Sequence, residues 1–226
     1  MLAAAAPADT RAEFIRKTYS HLAGAILAFA GLCTLIVKTP AIYEPLMRLM
    51  LGTQFSWLVV LGLFMGVGWI ANKWAQSDSS TTLQYVGLGL YVVAEAVIFT
   101  PLLVIAAYYT SGNVLPTAAI MTLAVFGGLT VLAFVTKKDF SFLGRALTLG
   151  GFAALGLVVV SLVVGFDLGT WFSVAMVVLA SGYILYYTSN IIHHYRIGSH
   201  VAAALALFAA VALLFYYILR LVASRR

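Results

Sequence analysis

The sequence predicts an all-α fold, a bundle of seven membrane-spanning helices. Three observations carry that prediction. Of 226 residues, 63% are hydrophobic and only 9% are charged, with a mean hydropathy of +1.05, whereas a soluble domain carries about 25% charged residues. The apolar residues gather into runs of roughly the 20 that a helix needs to cross the hydrocarbon core. The basic residues stand at the ends of those runs, so the net charge of +6 reads as a membrane orientation signal and excludes a nucleic-acid surface.

Residues 1–17 read as a cytoplasmic N-terminal segment, with Thr10-Arg-Ala-Glu13 as the capping box of a short helix, and residues 18–226 as one transmembrane domain. The first span runs from Tyr19 to about Val37. It is longer than the apolar core of a cleaved signal and ends at Lys38-Thr-Pro40, so it is expected to stay as a helix. The second runs from about Phe55 to Ala71, with Trp57 at one interface and Trp69 and Trp74 at the other. The third covers about Leu83–Tyr108, the fourth Leu115–Thr136 and the fifth Ala146–Val164. The sixth covers about Thr170–Ile192 and the seventh His200–Val222. Connections are short, and the longest, about Lys38 to Gln54, reads as an interfacial segment. Gly62-x-x-x-Gly66 signals close helix packing, and Ala202, Ala206 and Ala210 mark the seventh span as the candidate centre of the bundle.

Lysine and arginine set the orientation. With the N-terminus in the cytoplasm, the inner side receives Arg11, Arg16, Lys17, Lys73, Lys137, Lys138, Arg145 and Arg196, and the outer loops only Lys38 and Arg48. Arg220, Arg225 and Arg226 then fall outside, against the trend.

Glu95 is the chemically distinctive residue. It lies in Tyr91-Val-Val-Ala-Glu-Ala-Val-Ile-Phe-Thr-Pro101, and no other acid sits near the middle of a long apolar run. A carboxylate at the bilayer centre costs about 2.5–3.5 kcal/mol, so such a residue faces a packed interior or a watery cavity. Pro101 removes a donor from the same helix and opposes the carbonyl of Val97, which predicts a broken third span. Glu95, Pro101 and Tyr91 are therefore candidates for an ion or proton site; the alternative is a protonated carboxyl that bonds a neighbouring helix.

Other membrane chemistries lack their residues. Lys38, Lys73, Lys137 and Lys138 all stand at span ends, which removes a retinal Schiff base. Ser181-Gly182 follows Leu179 where a rhomboid-type protease needs glycine, and Asp139 and Asp167 are both in loops, away from an aspartyl protease arrangement. No His-Glu-x-x-His stretch is present, and Cys33 is the single cysteine. The expectation is no enzyme and no cofactor. His193, His194 and His200 flank the last turn at the depth of His21; they are weak metal candidates or ordinary interfacial histidines. The sixth span carries Tyr183, Tyr186, Tyr187, Thr188, Ser189 and Asn190, and the seventh Tyr216 and Tyr217. These are either hydrogen-bond partners for Glu95 or for a polar cavity, or members of an aromatic belt.

Phe14-Ile-Arg-Lys-Thr-Tyr19, Thr136-Lys-Lys-Asp-Phe-Ser-Phe-Leu-Gly144 and Ile184-Leu-Tyr-Tyr-Thr-Ser-Asn-Ile-Ile-His193 resemble the Bax-inhibitor family, the transmembrane BAX inhibitor motif superfamily. The bacterial branch that includes the modulator of the FtsH protease is the most similar, from about Phe14 to Arg220. The resemblance implies a central seventh helix wrapped by helices 1–3 and 4–6. It also implies either a calcium leak gated by paired acids in the sixth and seventh helices, or restraint of a membrane-anchored AAA protease. The acid positions of that pattern fall on Tyr187 and Ala210, so this chain lacks the paired-acid sensor. Two functions remain: a bacterial inner-membrane pathway for calcium or other cations with a pH-sensitive site at Glu95, and a non-conducting regulator of a membrane protease or other membrane complex. A structural role, with Glu95 only locking helix packing, is the third.

Overall fold

The computed structural model describes every residue except 54, 78, 79, 111, 225 and 226; Arg225 and Arg226, and the Gln54 end of the long connection, lie outside the described residues. The helices are α1 (Ala8–Lys38), α2 (Pro40–Leu51), α3 (Ser56–Ala75), α4 (Thr81–Tyr108), α5 (Val114–Thr136), α6 (Leu143–Val164), α7 (Gly169–His193) and α8 (His200–Ser224). Seven of them, all but α2, are long and apolar enough to cross a membrane. The third, sixth and seventh spans of the sequence are thus α4, α7 and α8.

Two local expectations change. The N-terminal segment and the first span are one helix of 31 residues, about 46 Å long, because nothing between Ala8 and Lys38 interrupts it. Pro7 takes the N-cap position and Thr10 lies inside the helix, so the capping box is not used. The connection after Lys38 is also helical. Pro40 is at the first turn of α2, where a missing N–H costs nothing, and α2 packs against α1, α3 and α4.

The bundle is arranged around α8. Of its apolar window 72% is buried inside the protein, against 11% for α3, which faces lipid. A helix that is apolar all round must be covered all round, and its short side chains, among them Ala202, Ala203, Ala204, Ala210 and Ala212, let neighbours approach. Ala206 of the predicted stripe is only half-buried. α1, α3 and α4 form one layer on α8; α5 and α7 form the other, with α6 packed on α7 and touching α3 rather than α8.

Close approach between α3 and α4 occurs away from the predicted glycine pair. A Cβ at Gly62 or Gly66 would meet nothing within 4 Å, because both face outward. At Gly87 of α4 it would stand 2.6 Å from the Ala71 carbonyl oxygen and 2.8 Å from the Ala75 nitrogen. The two backbones touch there. Pro101 does not break α4, which is helical from Thr81 to Tyr108; Pro101 is buried and the Thr100 hydroxyl donates back to Ala96 O at 3.2 Å. Beside it, Phe99 stacks on Phe215 of α8 with centroids 5.8 Å apart and meets Phe29 of α1 edge-on at 5.1 Å. Such ring pairs contribute about 0.5–1.5 kcal/mol each beyond their burial, and here they hold the proline-bearing turn in line.

Gly87→Ala should therefore destabilise the protein by about 1–3 kcal/mol, seen as a lower unfolding temperature in detergent, while Gly62→Ala leaves it unchanged or slightly higher. Equal effects at the two positions would contradict the assigned α3–α4 contact.

Candidate functional site

Glu95 is 14 residues from the start of α4, about 21 Å along a 28-residue helix, so it lies at mid-span. Its side chain is only 6% exposed. It faces a cavity of about 1230 Å³ bounded by α3, α4, α6, α7 and α8, where the two layers do not close on each other. Tyr91, one turn earlier, is its polar neighbour and shares the cavity wall with Pro101. The carboxylate therefore has one close polar partner on its own helix and open space in front of it.

Tyr187 and Ala210, where the resemblance places acids, line this same cavity. The three positions singled out in three different spans thus converge on one space. Tyr187 packs on Tyr183 with nearly parallel rings 5.9 Å apart, and the Tyr183 hydroxyl donates to Leu147 O of α6 at 2.8 Å.

The remainder of the α7 polar motif turns elsewhere. Tyr186 lies over Gly144 of α6, where a Cβ would come within 2.9 Å of its ring. Thr188 is fully buried and faces Tyr19 of α1. Ser189 accepts the Phe140 N–H at 2.9 Å, and the Asn190 carbonyl receives the N–H groups of His194 and Tyr195 at 2.7 and 2.8 Å. The Ser189 side chain and the Asn190 backbone carbonyl shape the turns at the end of the bundle, and none of these four residues lines the Glu95 cavity.

At the opposite end, the cavity reaches the α6–α7 loop and α2. Arg220 of α8 donates to Asp167 at 3.1 Å there, and Thr53, Met50 and Trp57 complete that end. Sequence reasoning set Arg220 apart as an outer-end residue and left Asp167 in a loop; 53 residues separate them, and no local pattern links the two. Tyr183 and Tyr216, two of the hydroxyl-bearing residues weighed above as members of a polar cavity, both line it.

The histidines divide into pairs. His194 lies 2.8 Å from Asp139, while His193 Nδ1 meets the Ser189 carbonyl at 3.0 Å. His21 and His200 have ring centroids 4.9 Å apart. Among the described residues no three His, Cys, Asp or Glu side chains converge as metal ligands.

Asp139 accepts the Ser141 N–H at 2.9 Å as well as the His194 ring nitrogen, and these bonds hold its carboxyl well below the usual carboxylate range. A carboxyl depressed on folding adds stability that is fully present above its unfolded value, about 4, and is lost as pH falls through the folded value. Both side chains are nearly half exposed (47% and 46%), so solvent screening keeps the contribution below about 1 kcal/mol. Acidification below about pH 4 should therefore loosen the α5–α6 turn from α7. Asp139→Asn should remove that part of the pH dependence in hydrogen exchange of residues 137–142; an unchanged acid limb would contradict the clamp.

The family model described as "Inhibitor of apoptosis-promoting Bax1" matches residues 11–226. A Pseudomonas aeruginosa protein, uncharacterized protein PA2604, is 31% identical over 212 residues, covering 92% of this chain and 87% of its own. Two Arabidopsis thaliana proteins are each 30% identical: protein LIFEGUARD 4, over 93% of this chain and 84% of its own, and a BI1-like protein, over 92% and 79%. With seven helices apolar and long enough to cross a membrane, one of them at the centre, and a family match over nearly its whole length, the chain is an integral membrane protein that belongs to the Bax-inhibitor family.

Proposed function

We propose that the protein provides a pathway for cations, calcium among them, whose controlling group is Glu95. The observation that carries this is the meeting of a buried mid-span carboxylate with a cavity that continues to the Asp167–Arg220 end of the bundle. A carboxylate set in front of water attracts cations and repels anions, and its charge is removed by acid. The site would differ from a paired-acid gate in having its acid on α4, with Tyr187 and Ala210 at the positions of the pair. The lysine and arginine bias supports a bacterial inner-membrane protein with the histidine-bearing end in the cytoplasm.

A second reading rests on the α5–α6 turn. Ser189 and His194 hold it against α7, with Lys137 and Lys138 exposed, which suits a rigid docking surface for a membrane-anchored AAA protease or another membrane complex.

Flux in liposomes separates the two. Purified protein should pass calcium or monovalent cations, less as the bath is acidified, and Glu95→Gln should lower the flux about tenfold, equivalent to losing roughly 1.4 kcal/mol of cation stabilisation. Replacing Lys137 and Lys138 should leave flux intact. No flux from folded wild-type protein would contradict the pathway and leave the docking reading, which predicts loss of partner binding when those lysines are replaced.

A further inference from the structure

On a different flank of α4, independent of the Glu95 cavity, α1 and α4 enclose a groove of about 480 Å³. It runs along α1 from Ser20 to Leu32, about 18 Å, which is close to the roughly 15 Å depth of one leaflet's hydrocarbon. Its walls are apolar and its floor includes Gly24, Ala28 and Gly89. A Cβ at Gly24 or at Gly89 would meet no atom within 4 Å, so no side chain of the protein fills the space.

The groove has a polar head at one end only. The His21 Nδ1–H donates to the Lys17 carbonyl at 2.6 Å, which in the neutral ring leaves Nε2 to accept from the Tyr85 hydroxyl at 3.1 Å. His200 of α8 places its ring 4.9 Å from His21, and the Lys17 ammonium stands beside the same pair. Lys17 is bonded to Glu13 at 2.8 Å but remains half exposed. Arg11, Arg16 and Lys17 make this end of α1 cationic against Asp9 and Glu13.

An apolar trough one leaflet long, with a cation at headgroup depth beside the His21–Tyr85 pair, has the shape and polarity of a phospholipid. We propose that this groove binds one phospholipid with an anionic headgroup, an acyl chain lying over Gly24, Ala28 and Gly89 and the phosphate meeting the Lys17 ammonium beside the His21–Tyr85 pair. The lipid would fasten α1 to α4 at the end where α1 also meets α8. Basic residues near a membrane surface favour anionic lipid by about fivefold per charge, which sets the expected preference.

Native mass spectrometry of the detergent-solubilised protein tests this, with phosphatidylglycerol or phosphatidylcholine added. The wild type should retain one phosphatidylglycerol, about fivefold more than phosphatidylcholine. Gly24→Leu and Gly89→Leu should lose that lipid, whereas Gly127→Leu, on α5 and equally open to a side chain, should keep it. Equal retention of the two lipids by the wild type, or undiminished phosphatidylglycerol binding in a folded Gly24→Leu or Gly89→Leu protein, would overturn the proposal. If neither leucine variant folds, Lys17→Gln decides: loss of the preference supports the site and an unchanged preference overturns it.

Discussion

Covering α8 on nearly every side is the constraint from which the rest of this bundle follows. Its alanine-rich surface admits close neighbours, and five spans crowd onto it while α6 is left to pack outside, on α7 and α3. Two layers wrapped around one apolar rod touch each other most between α4 and α5. They meet poorly between α3 and α6, where contact is slight. The large cavity lies along that seam.

The position of Glu95 makes sense only in relation to this gap. Its helix is otherwise apolar, and lipid or a dry interior would each demand a large desolvation cost. The cavity offers the alternative of water, with Tyr91 beside it. The aromatic contacts of Phe99 with Phe29, Phe215 and Tyr216 lie one turn further along and fix the face that α4 turns towards α8. Glu95 lies one turn before Phe99 on the same helix face, so the packing that fixes Phe99 also sets where the carboxylate points, into the cavity that both line. Tyr187 and Ala210 occupy the far wall, so the proposed pathway carries its mid-span acid on α4.

The spans were legible because twenty-residue apolar runs have one physical explanation, and the centrality of α8 because a helix with alanine every turn can be packed closely. Glu95 was legible because an acid in such a run is conspicuous. Other features depended on three-dimensional neighbours. Gly62-x-x-x-Gly66 has the spacing of a packing motif, but rotation about α3 turns it outward, and the contact falls on Gly87 instead. Pro101 carries no signal of the rings that keep α4 continuous around it. The Asp167–Arg220 pair joins a loop to a helix end, and Ser189 and Asn190 look like polar cavity residues until the helix phase assigns the Ser189 hydroxyl and the Asn190 backbone to the α5–α6 and α7–α8 turns.

The central claim is that water reaches the middle of the bundle from the Asp167 end. Its most direct test is one-sided labelling in oriented vesicles of a Leu213→Cys protein in a Cys33→Ala background, using a membrane-impermeant cationic thiol reagent. Leu213 lines the cavity on α8, between Ala210 and Arg220. The account predicts modification from the Asp167 side only, slowed by Glu95→Gln. Absence of labelling from that side in folded protein, or equal labelling from both, would contradict it.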